Sequence, residues 1–128
     1  MSAIEVTLPI RVVNELNDHS HWRGRQKRAK EQRGIVSESL RVRVRFVVAE
    51  PMPLIVTLTR IAPRKFDSDG VVASLKHVRD GVADALGVND GDERIEWRYE
   101  QRRCDVAGDP WGGICKGYGV AIRIEAKP

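Results

Sequence analysis

The fold is decided by residues 54–86, which read LIVTLTRIAPRKFDSDGVVASLKHVRDGVADAL. The stretch Leu54–Ile61 alternates with apolar side chains on both faces, which predicts a strand at the centre of a sheet. Over residues 71–86 apolar residues recur every three or four positions and form one stripe, which predicts an amphipathic helix. Gly87 is a suitable residue to end that helix. The segment therefore predicts a central strand followed by a helix that packs on the sheet.

The flanking sequence adds three strands and one helix. Residues 4–8 alternate as a short strand that Pro9 ends, and good helix formers predict a helix from about His21 to Leu40. Residues 41–48 alternate arginine with apolar side chains, a pattern that fits either a strand or the end of the long helix. Further strands are predicted at residues 95–99 and 120–125. The order β-α-β-α-β-β predicts a two-layer α+β domain, with a mixed, mostly antiparallel sheet packed by two helices.

Length and composition exclude several classes of protein. The chain has 128 residues, which fits a single domain over residues 1–128, and 22 Lys+Arg against 18 Asp+Glu give a net charge of +4. No apolar run approaches the ~20 residues that span a bilayer, and the N-terminus lacks the regions of a signal peptide. Two cysteines, Cys104 and Cys115, are too few for a disulfide scaffold. We therefore expect a cytoplasmic protein without a membrane partner, whose thin core is compatible with a homodimer.

Two pairs of aspartates flank the predicted helix. Asp67 and Asp69 are two residues apart, so in extended chain their carboxylates converge and favour a cation between them. Mg²⁺, or Mn²⁺, prefers such oxygen ligands. Asp90 and Asp92 follow the helix, which separates the pairs by about 26 Å unless the chain returns or a partner subunit supplies one pair. The alternatives are that Asp69 caps the helix while Asp67 is solvated, and that the second pair belongs to a solvated turn.

A basic run lies in the first predicted helix. Its six cations fall within eleven residues and are opposed only by Glu31; they are Arg23, Arg25, Lys27, Arg28, Lys30 and Arg33. Such a density of like charge favours a polyanionic partner, although a solvated helix face is the alternative. Arg60, Arg64 and Lys65 lead into the first acidic pair, and cations beside carboxylates suit a phosphodiester substrate. Trp22 fits either base stacking or a core anchor.

In the order of these motifs the chain resembles the RusA-type Holliday junction resolvases, small dimeric endodeoxyribonucleases common in phages and prophages. The resemblance covers most of the chain: Thr7-Leu8-Pro9, a polar stretch at 14–17, the basic helix, Asp67-Ser68-Asp69, a helix ending in Asp84-Ala85-Leu86, and the turn Asp90-Gly91-Asp92 before a strand. The chain departs from the family at Gly70, where asparagine is usual. It also has Ala73 where the family's lysine typically sits, with Lys76 three residues later.

The resemblance implies a Mg²⁺-dependent endonuclease that resolves four-way junctions or related branched DNA in recombination and repair, in a bacterial or phage-infected cytoplasm. It implies that Asp67, Asp69 and one aspartate of the turn are the catalytic metal ligands. Alignment on the strand that follows favours Asp92, which we prefer as the third ligand, whereas counting from the first acid of the turn favours Asp90. Lys76 would neutralise charge on the phosphate, and the basic helix would hold the DNA backbone without reading sequence. A non-catalytic nucleic-acid-binding module and a protein-interaction domain are the alternative interpretations.

Overall fold

The helices and strands follow one another in the predicted order. The computed structural model describes residues 3–15, 22–47, 53–104 and 118–128. The predicted helix start at His21, the last residue of 41–48, and Cys115 lie outside these described residues. The elements are β1 (Ile4–Leu8), α1 (Trp22–Val47), β2 (Leu54–Ala62), α2 (Ser68–Ser74), α3 (Lys76–Leu86), β3 (Ile95–Arg103) and β4 (Gly119–Ala126).

The four described strands form one mixed sheet in the order β1-β4-β2-β3. β4 is antiparallel to both β1 and β2, whereas β3 is parallel to β2, with Leu54 opposite Ile95 and Ala62 opposite Arg103. The prediction of a mixed, mostly antiparallel sheet in an α+β domain is confirmed, as is the central position of β2. A parallel pair needs a crossover connection, and α2 and α3 provide it.

The ambiguous residues 41–47 continue α1 as a helix. The buried residues Val36 and Leu40 are four residues apart on one face of α1 and lie in the core. Beyond them, Arg41 donates to the Ser37 hydroxyl at 3.3 Å and Arg43 to the Ser39 carbonyl at 2.8 Å. Both contacts join residues four apart, a spacing at which side chains meet along a helix but not along a strand.

The second predicted helix is two helices, which corrects the prediction that two helices pack on the sheet. The first begins at Ser68, and the chain leaves helical geometry at Leu75, with φ −96° and ψ 7°. The Ser74 hydroxyl donates to the Val71 carbonyl at 2.8 Å, a local bond that competes with the helix pattern. The apolar stripe is nevertheless confirmed, because Leu75, Val78 and Val82 are fully buried in the core.

The two long helices approach each other closely at Gly81. A Cβ atom built on Gly81 would lie 2.7 Å from the Cβ of Val36 and 2.8 Å from the Arg33 carbonyl oxygen. Arg33 also forms a two-bond ion pair with Asp84 across the same interface, and its hydrogen bond lowers the pKa of that carboxyl. Absence of a side chain at position 81 therefore sets the distance between α1 and α3. Within the residues described, no helix is long and apolar enough to cross a membrane.

Candidate functional site

The first acidic pair lies just beyond the carboxyl end of the central strand. Asp67 is the N-cap of α2, and its Oδ1 accepts a hydrogen bond from the Gly70 amide at 2.7 Å. Asp69 lies in the first turn of α2, where the helix dipole favours negative charge. The extended chain from which we predicted that the two carboxylates converge is therefore wrong for this turn, because side chains two residues apart on a helix do not face each other. The capping role that the sequence assigned to Asp69 as an alternative thus belongs to Asp67. Both carboxylates are exposed, and neither forms an ion pair with any residue that the structure describes.

Two side chains hold the turn before Asp67. The sequence analysis did not identify Gln101, and it placed Arg60 among the cations that lead to the acidic pair, whereas Arg60 is buried. The Gln101 amide donates to the Phe66 carbonyl and accepts from the Phe66 amide, each at 2.8 Å. Arg60 donates to the Arg64 carbonyl at 2.6 Å, and its guanidinium carbon lies 3.4 Å from the centre of the Phe66 ring. Arg60 is only 4% exposed, and burial lowers its pKa. These contacts tie the start of α2 to β2 and β3.

A sequence signal for Gln101 exists in the strand alternation. Ile95, Trp97 and Tyr99 share one face of β3, and their side chains are buried in the core or packed against it. Continuing the alternation by two residues places Gln101 on that same face. A polar side chain at an inward position needs hydrogen-bond partners, and the backbone of Phe66 supplies them.

The segment after β1 reaches the same acidic turn. A Cβ atom at position 70 would lie 2.8 Å from Oδ1 of Asp67 and 2.9 Å from Nδ2 of Asn14. These two polar atoms, which are the ends of two side chains, lie in the space that a side chain at position 70 would occupy. The Asn14 amide therefore lies beside the start of α2.

The second acidic pair is engaged by neighbouring arginines. The Asp92 carboxylate accepts bonds from the Arg94 amide at 2.9 Å and from its guanidinium at 3.0 and 2.7 Å. These hydrogen bonds lower the pKa of Asp92 to about 2. The Asp90 carboxylate lies 3.8 Å from Nε of Arg79, while the Asp90 carbonyl accepts from Arg79 and from the Trp97 indole. Both aspartates thus have structural contacts within the turn, and the side chain of Asp90 is the more exposed, 57% against 16%.

One chain does not bring the two acidic pairs together. Asp92 precedes Ile95, which pairs with the first residue of β2, whereas Asp67 follows the last residue of β2. The eight residue steps of the strand correspond to about 26 Å. Among the residues described, no group of three acidic, histidine or cysteine side chains is placed to hold one metal ion. A shared ion for both pairs therefore requires a second chain.

Three cations of the basic run have acidic partners. Arg28 forms a two-bond ion pair with Glu15, at 3.0 and 2.8 Å, and Arg33 is paired with Asp84. Lys27 lies 3.9 Å from Glu31 in an exposed pair. The remaining members are exposed; they are Arg23, Arg25 and Lys30. The run is therefore less available to a polyanion than its composition suggests.

Trp22 lies at the solvent-exposed start of α1. It is 50% exposed, and the guanidinium of Arg23 lies 5.4 Å from its ring centre. The interpretation of Trp22 as a core anchor is therefore wrong. An exposed indole beside a cation is compatible with stacking on a base, which stays a prediction.

Lys76 and the cations before Asp67 lie near the first acidic pair along the chain. Lys76 is exposed at the first position of α3, and it lines a surface pocket with residues of α1. Arg64 and Lys65 are exposed in the turn between β2 and α2. The first acidic pair thus has cationic side chains on both sides in sequence.

Comparison of the sequence with protein-family models and with curated proteins gave no match.

Proposed function

We propose that the chain is a Mg²⁺-dependent endonuclease that acts on branched DNA, with Asp67 and Asp69 at the centre of its site. One observation supports this most. These carboxylates are exposed, belong to a turn held at Phe66, and form no ion pair with a described residue, whereas Asp92 is engaged by an arginine. Exposed carboxylates without a counter-charge from a described residue favour a bound cation.

The donor atoms of the first pair fit Mg²⁺. This ion is commonly held by one or two protein carboxylates together with waters and substrate phosphates, so a pair from one chain is sufficient. Oδ1 of Asp67 is bound to the Gly70 amide, which leaves its Oδ2 and the Asp69 carboxylate for an ion. When bound, such an ion lowers the pKa of a water and offsets charge on the phosphodiester.

A third carboxylate, if the site uses one, comes from a second copy of the chain, because Asp90 and Asp92 lie at the other end of the β2–β3 pair. Of the two, Asp92 would have to release three hydrogen bonds from Arg94, whereas Asp90 has only a loose ion pair at 3.8 Å. The contacts thus favour Asp90 over the sequence-based preference for Asp92. Two sites related by a two-fold axis suit a symmetric four-way junction.

The chain's own residues supply binding and orientation. Gln101 and Arg60 hold the turn so that the acidic pair is presented at one place, which lowers the entropic cost of reaching a reactive geometry. Lys76 and three exposed cations near the start of α1 would bind phosphates of the backbone without reading sequence; these cations are Arg23, Arg25 and Lys30. Arg28 and Arg33 contribute less to DNA binding in this scheme, because Glu15 and Asp84 already neutralise them.

A non-catalytic nucleic-acid-binding module is the second candidate. The observation in its favour is that Asp67 caps α2 and that Asp90 and Asp92 hold their own turn, so three of the four acids have a structural use. In that case the basic residues bind DNA and no phosphodiester bond is broken.

Asparagine variants separate the two candidates. Because asparagine caps a helix about as well as aspartate, Asp67→Asn and Asp69→Asn should keep the fold and the affinity for a synthetic four-way junction. We expect both to lose Mg²⁺-dependent nicking by a factor of about 100 or more, a typical loss when one electrostatic group of a site is removed. Glu38→Gln, which removes an exposed acid of α1, is the control and should nick as the wild type does.

Three results would contradict the proposal of an endonuclease with Asp67 and Asp69 at its site. Binding without nicking in either Mg²⁺ or Mn²⁺ supports the non-catalytic module. Full activity of Asp69→Asn places the chemistry elsewhere. Absence of DNA affinity even at low salt supports a protein-interaction domain. Phosphate contacts would instead give binding that is strong at low salt and falls steeply as salt is added.

A further inference from the structure

A surface pocket of about 300 Å³ lies between the first part of α1 and the start of α3. Its lining consists of Glu15, Arg25, Gln26, Ala29, Lys76 and His77. We propose that this pocket binds one phosphate group of a nucleic-acid backbone, with Arg25 and Lys76 as the two cations that hold it. The proposal rests on the proposed function only in taking DNA as the partner.

Glu15, the acidic residue of the pocket lining, is already paired with Arg28. Oε1 of Glu15 accepts from Nε of Arg28 at 3.0 Å and lies 3.4 Å from Nε2 of His77, while Oε2 accepts from the Arg28 terminal nitrogen at 2.8 Å. The side chains of these three residues are only 15–22% exposed. Glu15 is therefore an organiser of the pocket wall and is not a counter-charge for the remaining cations.

Two cations of the lining are left without an acidic partner. Neither Arg25 nor Lys76 forms an ion pair with any part of the chain that the structure describes, and both are exposed. They come from two helices and line one concave surface, so an anion in the pocket would contact both. Such an anion relieves the repulsion between them and gains charge-assisted hydrogen bonds.

The two cationic side chains of the lining favour a phosphate group as the ligand. His77 is the aromatic side chain among these lining residues, and its Nε2 lies 3.4 Å from Oε1 of Glu15. An arginine fork and a lysine point charge are the usual pair for phosphate oxygens, and the Gln26 amide adds a neutral donor or acceptor. A single phosphodiester group is therefore the chemical class that the pocket fits.

The pocket is close to the first acidic pair. Glu15 directly follows Asn14, whose amide nitrogen lies at the start of α2 beside Asp67. On the other side Lys76 follows Asp69 by seven residues, most of them in α2. Seven helical residues correspond to about 10 Å along the helix axis. A DNA strand held over the acidic pair can therefore place a neighbouring phosphate in the pocket, which would fix the register of the strand.

A double-mutant cycle tests whether Arg25 and Lys76 hold the same phosphate. Affinity for a synthetic four-way junction is measured by fluorescence anisotropy without divalent ions, so that binding is separated from nicking. Arg25→Ala and Lys76→Ala should each weaken binding about tenfold. Because both act on one group, the double variant should lose clearly less than the product, about 100-fold, that independent sites give. Arg43→Ala removes an exposed cation of α1 outside the pocket and should bind as the wild type does.

The outcomes distinguish this proposal from the endonuclease. Multiplicative losses, or no loss on Arg25→Ala, overturn the shared phosphate even if the wild type nicks DNA normally. If the double variant loses less affinity than the product of the single losses, and the wild type does not nick DNA in any divalent ion, the pocket is supported and the endonuclease is contradicted. Absence of DNA affinity contradicts both. Thermal melting of each variant serves as the folding control, and these exposed substitutions should leave it nearly unchanged.

Discussion

Replacing Gly81 with alanine tests the close approach between α1 and α3. The added methyl group would lie 2.7 Å from the Cβ of Val36 and 2.8 Å from the Arg33 carbonyl oxygen. Neither atom belongs to the end of a flexible side chain, so rotation of a side chain cannot remove the overlap. The helices must therefore move apart, and the buried Val36 would lose contacts in the core.

The expected change combines two opposing terms. Alanine is favoured over glycine inside a helix by about 1 kcal/mol, whereas overpacking a well-packed interface costs about 1–3 kcal/mol. We expect Gly81→Ala to lower the free energy of unfolding by about 1 kcal/mol. Gly34→Ala is the matched control, because Gly34 lies inside α1 with no atom within 4 Å of its ideal Cβ. That variant should raise the free energy of unfolding by about 1 kcal/mol.

Urea unfolding followed by circular dichroism measures both variants. The midpoints should shift in opposite directions with the same slope against urea concentration. A Gly81→Ala protein that is as stabilised as Gly34→Ala would refute the close crossing. Because α1 carries Arg25 and α3 carries Lys76, separation of the helices also widens the proposed phosphate pocket. DNA affinity should accordingly fall in Gly81→Ala but not in Gly34→Ala.

Two further predictions concern the turns that carry the acidic pairs. Arg94 holds the pKa of Asp92 at about 2, below its ordinary 3.8, so the pair stabilises the turn above about pH 4 and this stabilisation is lost as the pH falls through 2. NMR titration of the Asp92 carboxyl carbon should give that midpoint, Arg94→Ala should raise it, and an unchanged midpoint would contradict the assignment. Gln101→Leu leaves the Phe66 amide and carbonyl without their partner and should lower the free energy of unfolding by about 1–3 kcal/mol in a urea titration. Arg103→Ala, at an exposed position of the same strand, should change it by less than about 0.5 kcal/mol, and equal effects would argue against a role for Gln101 in holding the turn.

Two cations of the basic run are paired with acidic residues that no local pattern connects to them. Arg28 and Arg33 belong to one basic run in the sequence, yet their partners, Glu15 and Asp84, are 13 and 51 residues away. Whether a cation is engaged within the chain or available to DNA depends on such long-range pairs. The sequence therefore predicts a basic helix but not which of its charges are available.

The sequence alone determined the strands and the apolar faces, because alternation and three-to-four-residue spacing are local properties of the chain. It did not determine that α1 continues through residues 41–47 or that the second predicted helix is divided at Leu75. The buried strand Leu54–Ala62 and the stripe through Leu75, Val78 and Val82 follow from such spacing. Only the tertiary structure decided that β3 is parallel to β2, since the direction of a strand depends on the path of the crossover and not on its own alternation. Because β2 and β3 are parallel, Asp92 lies before the start of this strand pair and Asp67 lies beyond its end. The two acidic pairs, which the family resemblance joins in one site, therefore lie at opposite ends of the sheet.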